Sequence, residues 1–295
     1  MKNIIVITGG AGFVGTNLIS YLLKNTNYKI LSIDNYSSGY KKNHIQDKRV
    51  RYIKGDTKDI SIILNSKIKN INVIFHFGEF SRIYQSFLNM EECINSNTVG
   101  SHAIFNFCLN NKIKLIYSAT SASLGNKGRD KDLSPYAFTK SINLELLENL
   151  KKWFKMKYEI IYFYNVYGPK QISKGKMATV IGIFENAYKD KKTLPVVRPG
   201  TQSRKFTHIS DTVKVCYDAW KKNKCRHYSI SSKEDYSIIE VAKLFGSKFK
   251  LLPARAGERY ASALTNMNLT NKVYKNFGKT KLKTYIEKFK KSHKK

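Results

Sequence analysis

The sequence predicts an α/β protein: a doubly wound parallel sheet first, then a smaller C-terminal α/β part. Three observations carry that reading. Short β-branched runs alternate with longer amphipathic stretches, the rhythm of strand–helix units in a parallel sheet. A cluster of glycines joins the first such run to the first amphipathic stretch. Hydrophobic residues make up 42% and aromatics 13% of the 295 residues, enough for a sizeable core and too many for wholesale disorder.

Taken in order, Ile4–Ile7 is a buried strand by its length and β-branching, and Phe13–Leu23 follows as a helix with Val14, Leu18, Tyr21 and Leu22 on one face. Lys29–Ile33, Val50–Ile53 and Val73–Phe77 read as the second to fourth strands, Glu91–Leu109 as one long helix, and Lys112–Tyr117 as the fifth strand. Ser134-Pro135 opens the next helix, with Ser as N-cap and Pro at the first helical position. That helix runs to about Trp153, and Glu159–Phe163 is the sixth strand. Beyond Asn165 the rhythm loosens. Gly168-Pro169, Pro195 and Pro199-Gly200 punctuate short strands and helices near Ala178–Tyr188 and Val213–Lys221. The boundary between two parts is expected after residue 167, with segments crossing back, and Lys288–Lys295 is expected to be a frayed tail.

Composition excludes several classes. Glycine at 17 and proline at 5 exclude collagen-like and low-complexity chains. No stretch approaches a membrane span, and Ile4–Ile7 is too short for a signal segment. Cys93, Cys108, Cys216 and Cys225 show no metal-ligand spacing, so neither a disulfide framework nor a metal site is expected. These features predict a soluble cytoplasmic protein. The 53 basic residues against 21 acidic ones give a net charge of +32, which raises the question of nucleic acid. The excess is mostly lysine, spread along the chain, with no nucleic-acid-binding signature beside it. A solvated lysine-rich surface with no specific nucleic-acid partner is the expectation.

Two motifs carry chemistry. In Thr8-Gly9-Gly10-Ala11-Gly12-Phe13-Val14-Gly15, Gly9, Gly12 and Gly15 lie between a buried strand and an amphipathic helix. There Gly9 permits a tight turn, Gly12 lets backbone approach a pyrophosphate, and Gly15 allows close helix–strand packing. The helix N-terminus then offers free N–H groups and a positive dipole end to phosphates. Asp34 ends the second strand about 20 residues beyond the turn, where a carboxylate accepts from ribose hydroxyls. It repels a 2′-phosphate and favours NAD, while the nearby Lys41 and Lys42 keep NADP as the alternative. The second motif is Tyr136-Ala137-Phe138-Thr139-Lys140, whose spacing of four places Tyr136 and Lys140 on one helical face. An ammonium beside a phenol favours the phenolate, which can take a proton from a sugar hydroxyl.

With these motifs the chain resembles the nucleotide-sugar epimerase/dehydratase family of extended short-chain dehydrogenases/reductases, over nearly its whole length. Gly55-Asp56, Asn97-Thr98-Val99-Gly100, Tyr164-Asn165-Val166-Tyr167-Gly168-Pro169, the segment from Gly200 through Arg204 to Asp211, and Arg255-Ala256-Gly257-Glu258 resemble further family elements. The resemblance implies a Rossmann-type fold, NAD bound by residues 1–167 and a nucleoside-diphosphate sugar bound by residues 168–295. It further implies that Gly9, Gly12, Phe13, Val14, Gly15, Asp34, Asn35, Asp56, Thr57, Phe77, Gly78, Asn97 and Lys140 contact NAD. Thr120, Tyr136 and Lys140 would carry the reaction, and Ser81, Thr120, Tyr136, Asn165, Arg204 and Arg255 would contact substrate. Ser118 competes with Thr120 for the catalytic hydroxyl. Arginine at 204 and 255 suits bidentate phosphate contact.

Departures narrow the reaction. Ser121 and Ala122 replace the Asp-Glu pair with which family dehydratases eliminate water, so dehydration is disfavoured. Tyr162 stands where the family has Arg. Gly78-Glu79 replaces a family Ala-Ala, and the charges of Glu79 and Arg82 read equally as an ion pair or as catalytic groups. The segment from Asn126 to Pro135 is short, which would open the sugar pocket. The first expectation is a 4-epimerase. The second is a heptose-nucleotide 6-epimerase, for which Lys174 would be a second acid/base, or a 4-dehydrogenase. The third is an NAD-sensing fold that binds RNA. A homodimer is expected from surplus apolar residues Phe105, Phe107, Leu146 and Trp153.

Overall fold

The computed structural model describes residues 2–121, 133–222, 227–257 and 273–293. Ile4–Thr8 (β1), Lys29–Asp34 (β2), Val50–Lys54 (β3), Ile71–His76 (β4), Lys114–Thr120 (β5) and Tyr158–Phe163 (β6) realise the six expected strands. β1 is buried at every position, as a strand covered by helices on both faces must be. Between the strands lie Phe13–Asn25 (α1), Ile60–Leu64 (α2), Ile83–Leu88 (α3), Met90–Ile94 (α4), Ser101–Asn110 (α5) and Pro135–Phe154 (α6).

The remaining described elements are Val166–Tyr167 (β7), Val180–Lys189 (α7), Leu194–Val197 (β8), Ser203–Lys205 (β9), Thr207–His208 (β10), Ile209–Lys222 (α8), His227–Ser231 (β11), Asp235–Ser237 (β12), Ile238–Phe245 (α9), Phe249–Leu252 (β13), Val273–Phe277 (β14) and Leu282–Ser292 (α10).

The principal sheet has eight strands in the order β14-β11-β6-β5-β4-β1-β2-β3, every pairing parallel. β1 has β2 on one side and β4 on the other, so the strand order reverses there. A crevice opens above the carboxyl ends of strands at such a reversal. α1 and α8 cover one face through Leu18, Ile19, Leu22, Val213 and Trp220. α2, α5 and α6 cover the other through Ile60, Leu64, Ile104, Phe105, Leu147 and Leu150. A third core, with Phe184, Val196, Val241, Phe245 and Ile286, joins α7, β8, α9 and α10. β11, β14 and α8 follow residue 167 in the chain and belong to the principal sheet and its cover.

Three expectations need correction. The helix drawn over Glu91–Leu109 is α4 and α5 joined by a π-helical turn at Asn95–Gly100, because Gly100 backs directly onto Thr57, where a Cβ would meet Oγ1 at 2.2 Å. Lys288–Ser292 is not frayed: α10 continues to Ser292, with Leu282, Ile286 and Phe289 at helical spacing against the third core. Phe105 and Phe107 are core residues under the sheet and Leu146 is partly buried against them. Of the four residues invoked for a dimer, Trp153 alone is exposed. Exposed apolar side chains instead include Ile94 on α4 and Phe138 and Ile142 on α6.

Cys93, Cys108 and Cys216 are free and buried. Ala122, residues 126–132, Cys225 and Glu258 lie outside the described residues. Among the described residues no helix is long and apolar enough to cross a membrane, and no group of His, Cys, Asp or Glu could hold a metal ion.

Candidate active site

The glycine turn sits where β1 meets α1. Gly9 has φ +70, and a Cβ there would lie 2.8 Å from the backbone of Phe77 and Gly78 at the end of β4. At Gly15 a Cβ would meet Gly9 O at 2.2 Å and Gly10 Cα at 2.6 Å, so helix and turn touch backbone to backbone. Gly12 is the N-cap of α1, with no side-chain cap and no acidic residue in the first turn. The N–H groups of Phe13, Val14 and Gly15 therefore begin a helix whose positive end faces the crevice.

Asp34 is buried at the end of β2 and accepts from Ala11 N at 2.9 Å and Tyr36 N at 2.8 Å. Burial pushes its carboxyl up from the usual carboxylate range, and those N–H groups pull it partway back. Asn35 donates to Asp56 at 3.1 Å, and Asp56 caps the turn before Thr57. Lys41 and Lys42 are exposed and away from the crevice.

One cavity of about 540 Å³ runs from this turn into the second part of the chain. Of the expected cofactor residues, Gly9, Gly12, Phe13, Val14, Gly15, Asp34, Asn35, Thr57, Phe77, Gly78 and Lys140 line it. Asp56 and Asn97 do not. Asn97 is fully buried in the π turn, where its amide accepts from Phe80 N at 2.6 Å and donates to Phe80 O at 3.1 Å. These bonds hold the segment after β4.

Tyr136 and Lys140 both face this cavity from the first turns of α6. The helix starts there because Ser134 accepts from Ala137 N at 3.1 Å, with Pro135 next. Thr120 and Ser121 line the cavity at the end of β5. Ser118, two residues deeper in the strand, also lines the cavity and directs its hydroxyl to His76 O at 2.9 Å.

Lys140 differs from a lysine free to act on the phenol alone. It donates to Ser118 O at 2.6 Å and forms a buried ion pair with Glu79. Burial pulls the Lys140 ammonium down from its ordinary value, and Glu79 opposes that. Sequence reasoning could not decide between an ion pair and a catalytic role for Glu79; in the structure it is an ion pair.

The second part of the chain closes the cavity. Arg204, buried in β9, and the exposed Arg255 both line it. Arg255 stacks its guanidinium 5.2 Å from the centre of the Tyr84 ring. Ser81 and Asn165 line it too, and Asn165 donates to Lys205 O at 3.0 Å, tying the end of β6 to β9. Arg82 lines the cavity and clamps Met177 O at 3.0 and 2.7 Å. Val180, Pro195, Val197, Ile238 and Leu252 form an apolar wall that sequence reasoning missed, since they come from four separate elements, α7, β8, α9 and β13. Tyr162 bonds His227 at 2.9 Å within the sheet and does not reach the cavity. Lys174 is exposed and outside the lining.

The cradle fits NAD: glycines that no side chain could replace, an uncapped helix N-terminus for the pyrophosphate, and a carboxylate at the ribose position. The sequence model of the NAD dependent epimerase/dehydratase family matches residues 5–231. Among curated relatives, an ADP-L-glycero-D-manno-heptose-6-epimerase of Brachyspira hyodysenteriae is 29% identical over 83% of this chain and 81% of its own. An uncharacterized UDP-glucose epimerase of Bacillus subtilis is 30% identical over 71% of this chain and 70% of its own. Among solved structures, the UDP-glucose 4-epimerase of Thermotoga maritima with UDP-glucose superimposes with a TM-score of 0.85 at 21% identity, covering 99% of this chain and 100% of that one. With cradle and family match in agreement, the chain belongs to the NAD dependent epimerase/dehydratase family, and NAD is its cofactor.

Proposed function

We propose that this chain is a nucleotide-sugar 4-epimerase acting through a transient 4-keto sugar. The observation that carries this reading is one cavity lined at once by the glycine turn, by Thr120, Tyr136 and Lys140, and by Arg204 and Arg255. NAD, held by the glycine turn and Asp34, would supply reversible hydride acceptance at the sugar carbon. Tyr136 takes the proton of the 4-hydroxyl and later returns it, and Thr120 hydrogen-bonds the same oxygen. Lys140 orients the cofactor ribose and supports the phenolate. Arg204 and Arg255 grip the diphosphate while the sugar turns. Residues 1–167 serve NAD and residues 168–295 the nucleoside diphosphate, in a homodimer with no specific nucleic-acid partner.

A heptose-nucleotide 6-epimerase is the second reading, favoured by the similarity to the Brachyspira enzyme. Against it, the lysine it would use, Lys174, is exposed and lies outside the cavity lining. Ser121 and Ala122 in place of an acid pair speak against dehydration.

Proton NMR of the purified enzyme with UDP-, GDP- and ADP-sugars in deuterated water tests the reading. Inversion at C4 without deuterium uptake is the expected result, because the hydride returns internally. Inversion at C6, or oxidation without inversion, would transfer the assignment to the second class.

A further inference from the structure

A chain of buried polar groups runs beneath the cavity and ends on Glu79. Thr8 Oγ1 accepts from the N–H groups of Phe77 at 3.2 Å and Gly78 at 3.1 Å, so its proton goes to His76 Nδ1 at 2.7 Å. That leaves His76 to donate from Nε2 to Ser101 Oγ at 3.0 Å. Ser101 in turn donates to Glu79 Oε1 at 2.7 Å. Tyr117 donates to the same oxygen at 3.0 Å, and Lys140 to Oε2. With Ser118 at 3.4 Å and Asn143 at 3.5 Å, five donors from α5, β5 and α6 converge on the Glu79 side chain, which is 2% exposed and acts toward them as an acceptor, as a carboxylate does.

We propose that Glu79 is a positioning residue for the Tyr136–Lys140 couple: its buried charge pins the Lys140 ammonium and, as a built-in counter-ion, sets the pH at which the couple releases its first proton. The inference rests on reading Tyr136 and Lys140 as the acid–base pair. Groups facing the carboxylate are His76 from β4, Tyr117 and Ser118 from β5, Cys93 from α4, Ser101 from α5, and Lys140 and Asn143 from α6; Tyr136, also on α6, faces Tyr117. Lys140 is the one cation bonded to it among the described residues. Arg82, the cation three residues after Glu79 on this cavity wall, is bonded to backbone carbonyls of Met177 and Ser81. Removing the negative charge therefore lowers the first macroscopic pKa of the couple, whether the proton leaves phenol or ammonium.

The test is a titration of the NAD-loaded protein, which needs no sugar. Tyr136 ionisation is read as the difference absorbance between each protein and its Tyr136→Phe version. Lys140 is read by competitive amine labelling and peptide mass spectrometry. Glu79→Gln is expected to lower at least one of the two midpoints by about one pH unit or more. Glu79→Asp, which withdraws the charge by one methylene, is expected to lower it less, and it serves if the Gln variant does not fold. Thermal destabilisation with neither midpoint moved would overturn the proposal, because a purely structural glutamate predicts that result. Failure of every nucleotide sugar to react would count against the proposed function while leaving this titration readable.

Discussion

Tyr136 and Lys140 owe their pairing to four-residue spacing on one helix, and their setting to residues far away in sequence. Tyr136→Phe removes the hydroxyl that moves the substrate proton but leaves the glycine cradle intact. Its expected effect is a loss of turnover by at least about two orders of magnitude, with NAD affinity by calorimetry unchanged. Undiminished turnover would refute the mechanism. His76 offers a second measurement. Burial pulls its imidazole down to about 4, whereas in an unfolded chain it titrates near its ordinary value of 6.5. Between those values the unfolded chain binds the extra proton, so stability falls as pH falls from 6.5 toward 4. Denaturant unfolding should give about 2 kcal/mol less stability from this group at pH 5 than at pH 7. The same slope in His76→Gln would show that the imidazole is not its source.

At the scale of elements, the turn and the last helix test different claims. Gly15→Ala puts a methyl group against Gly9 O and Gly10 Cα, at ideal distances of 2.2 and 2.6 Å, and both neighbours are backbone. The turn must open, so NAD affinity is expected to fall at least about tenfold, together with a loss of several kcal/mol of stability. Unchanged affinity would mean that the close approach is not what shapes the cradle. Lys288–Lys295 looked like a charged tail because five of its eight residues are lysine, yet α10 continues to Ser292 and is anchored by the fully buried Ile286. Ile286→Ala should cost about 2–5 kcal/mol in denaturant unfolding; a frayed tail would lose nothing.

For the whole molecule, the question is what covers α4 and α6. Ile94 at 41%, Phe138 at 50% and Ile142 at 40% exposure lie on two helices that pack side by side. A second copy with the same face would bury them isologously. Sedimentation velocity at micromolar concentration is expected to give a dimer, and Phe138→Glu with Ile142→Glu a monomer. A monomeric wild type would remove the idea. The net charge of +32 should make any RNA binding weak and strongly salt-dependent.

What the sequence determined by itself was local: the strand–turn–helix that carries Gly9, Gly12 and Gly15, the capped helix that presents Tyr136 and Lys140, and the alternation that makes the sheet parallel. Each depends on residues within about one or two helical turns, where spacing dictates geometry. Tertiary structure decided the rest. β11 enters the sheet beside β6, a pairing across 67 residues, and β14 enters beside β11, across 46, pairings that depend on which edge is free. Asn97 went to the backbone of Phe80, 17 residues away, because a π turn buried it. Glu79 acquired its meaning from Lys140, Tyr117 and Ser101, which stand 61, 38 and 22 residues further along the chain. A carboxylate is read from sequence as one charge, and its role depends on the donors that the closed fold brings to it, because in a dry interior the partner decides whether the charge is costly or useful.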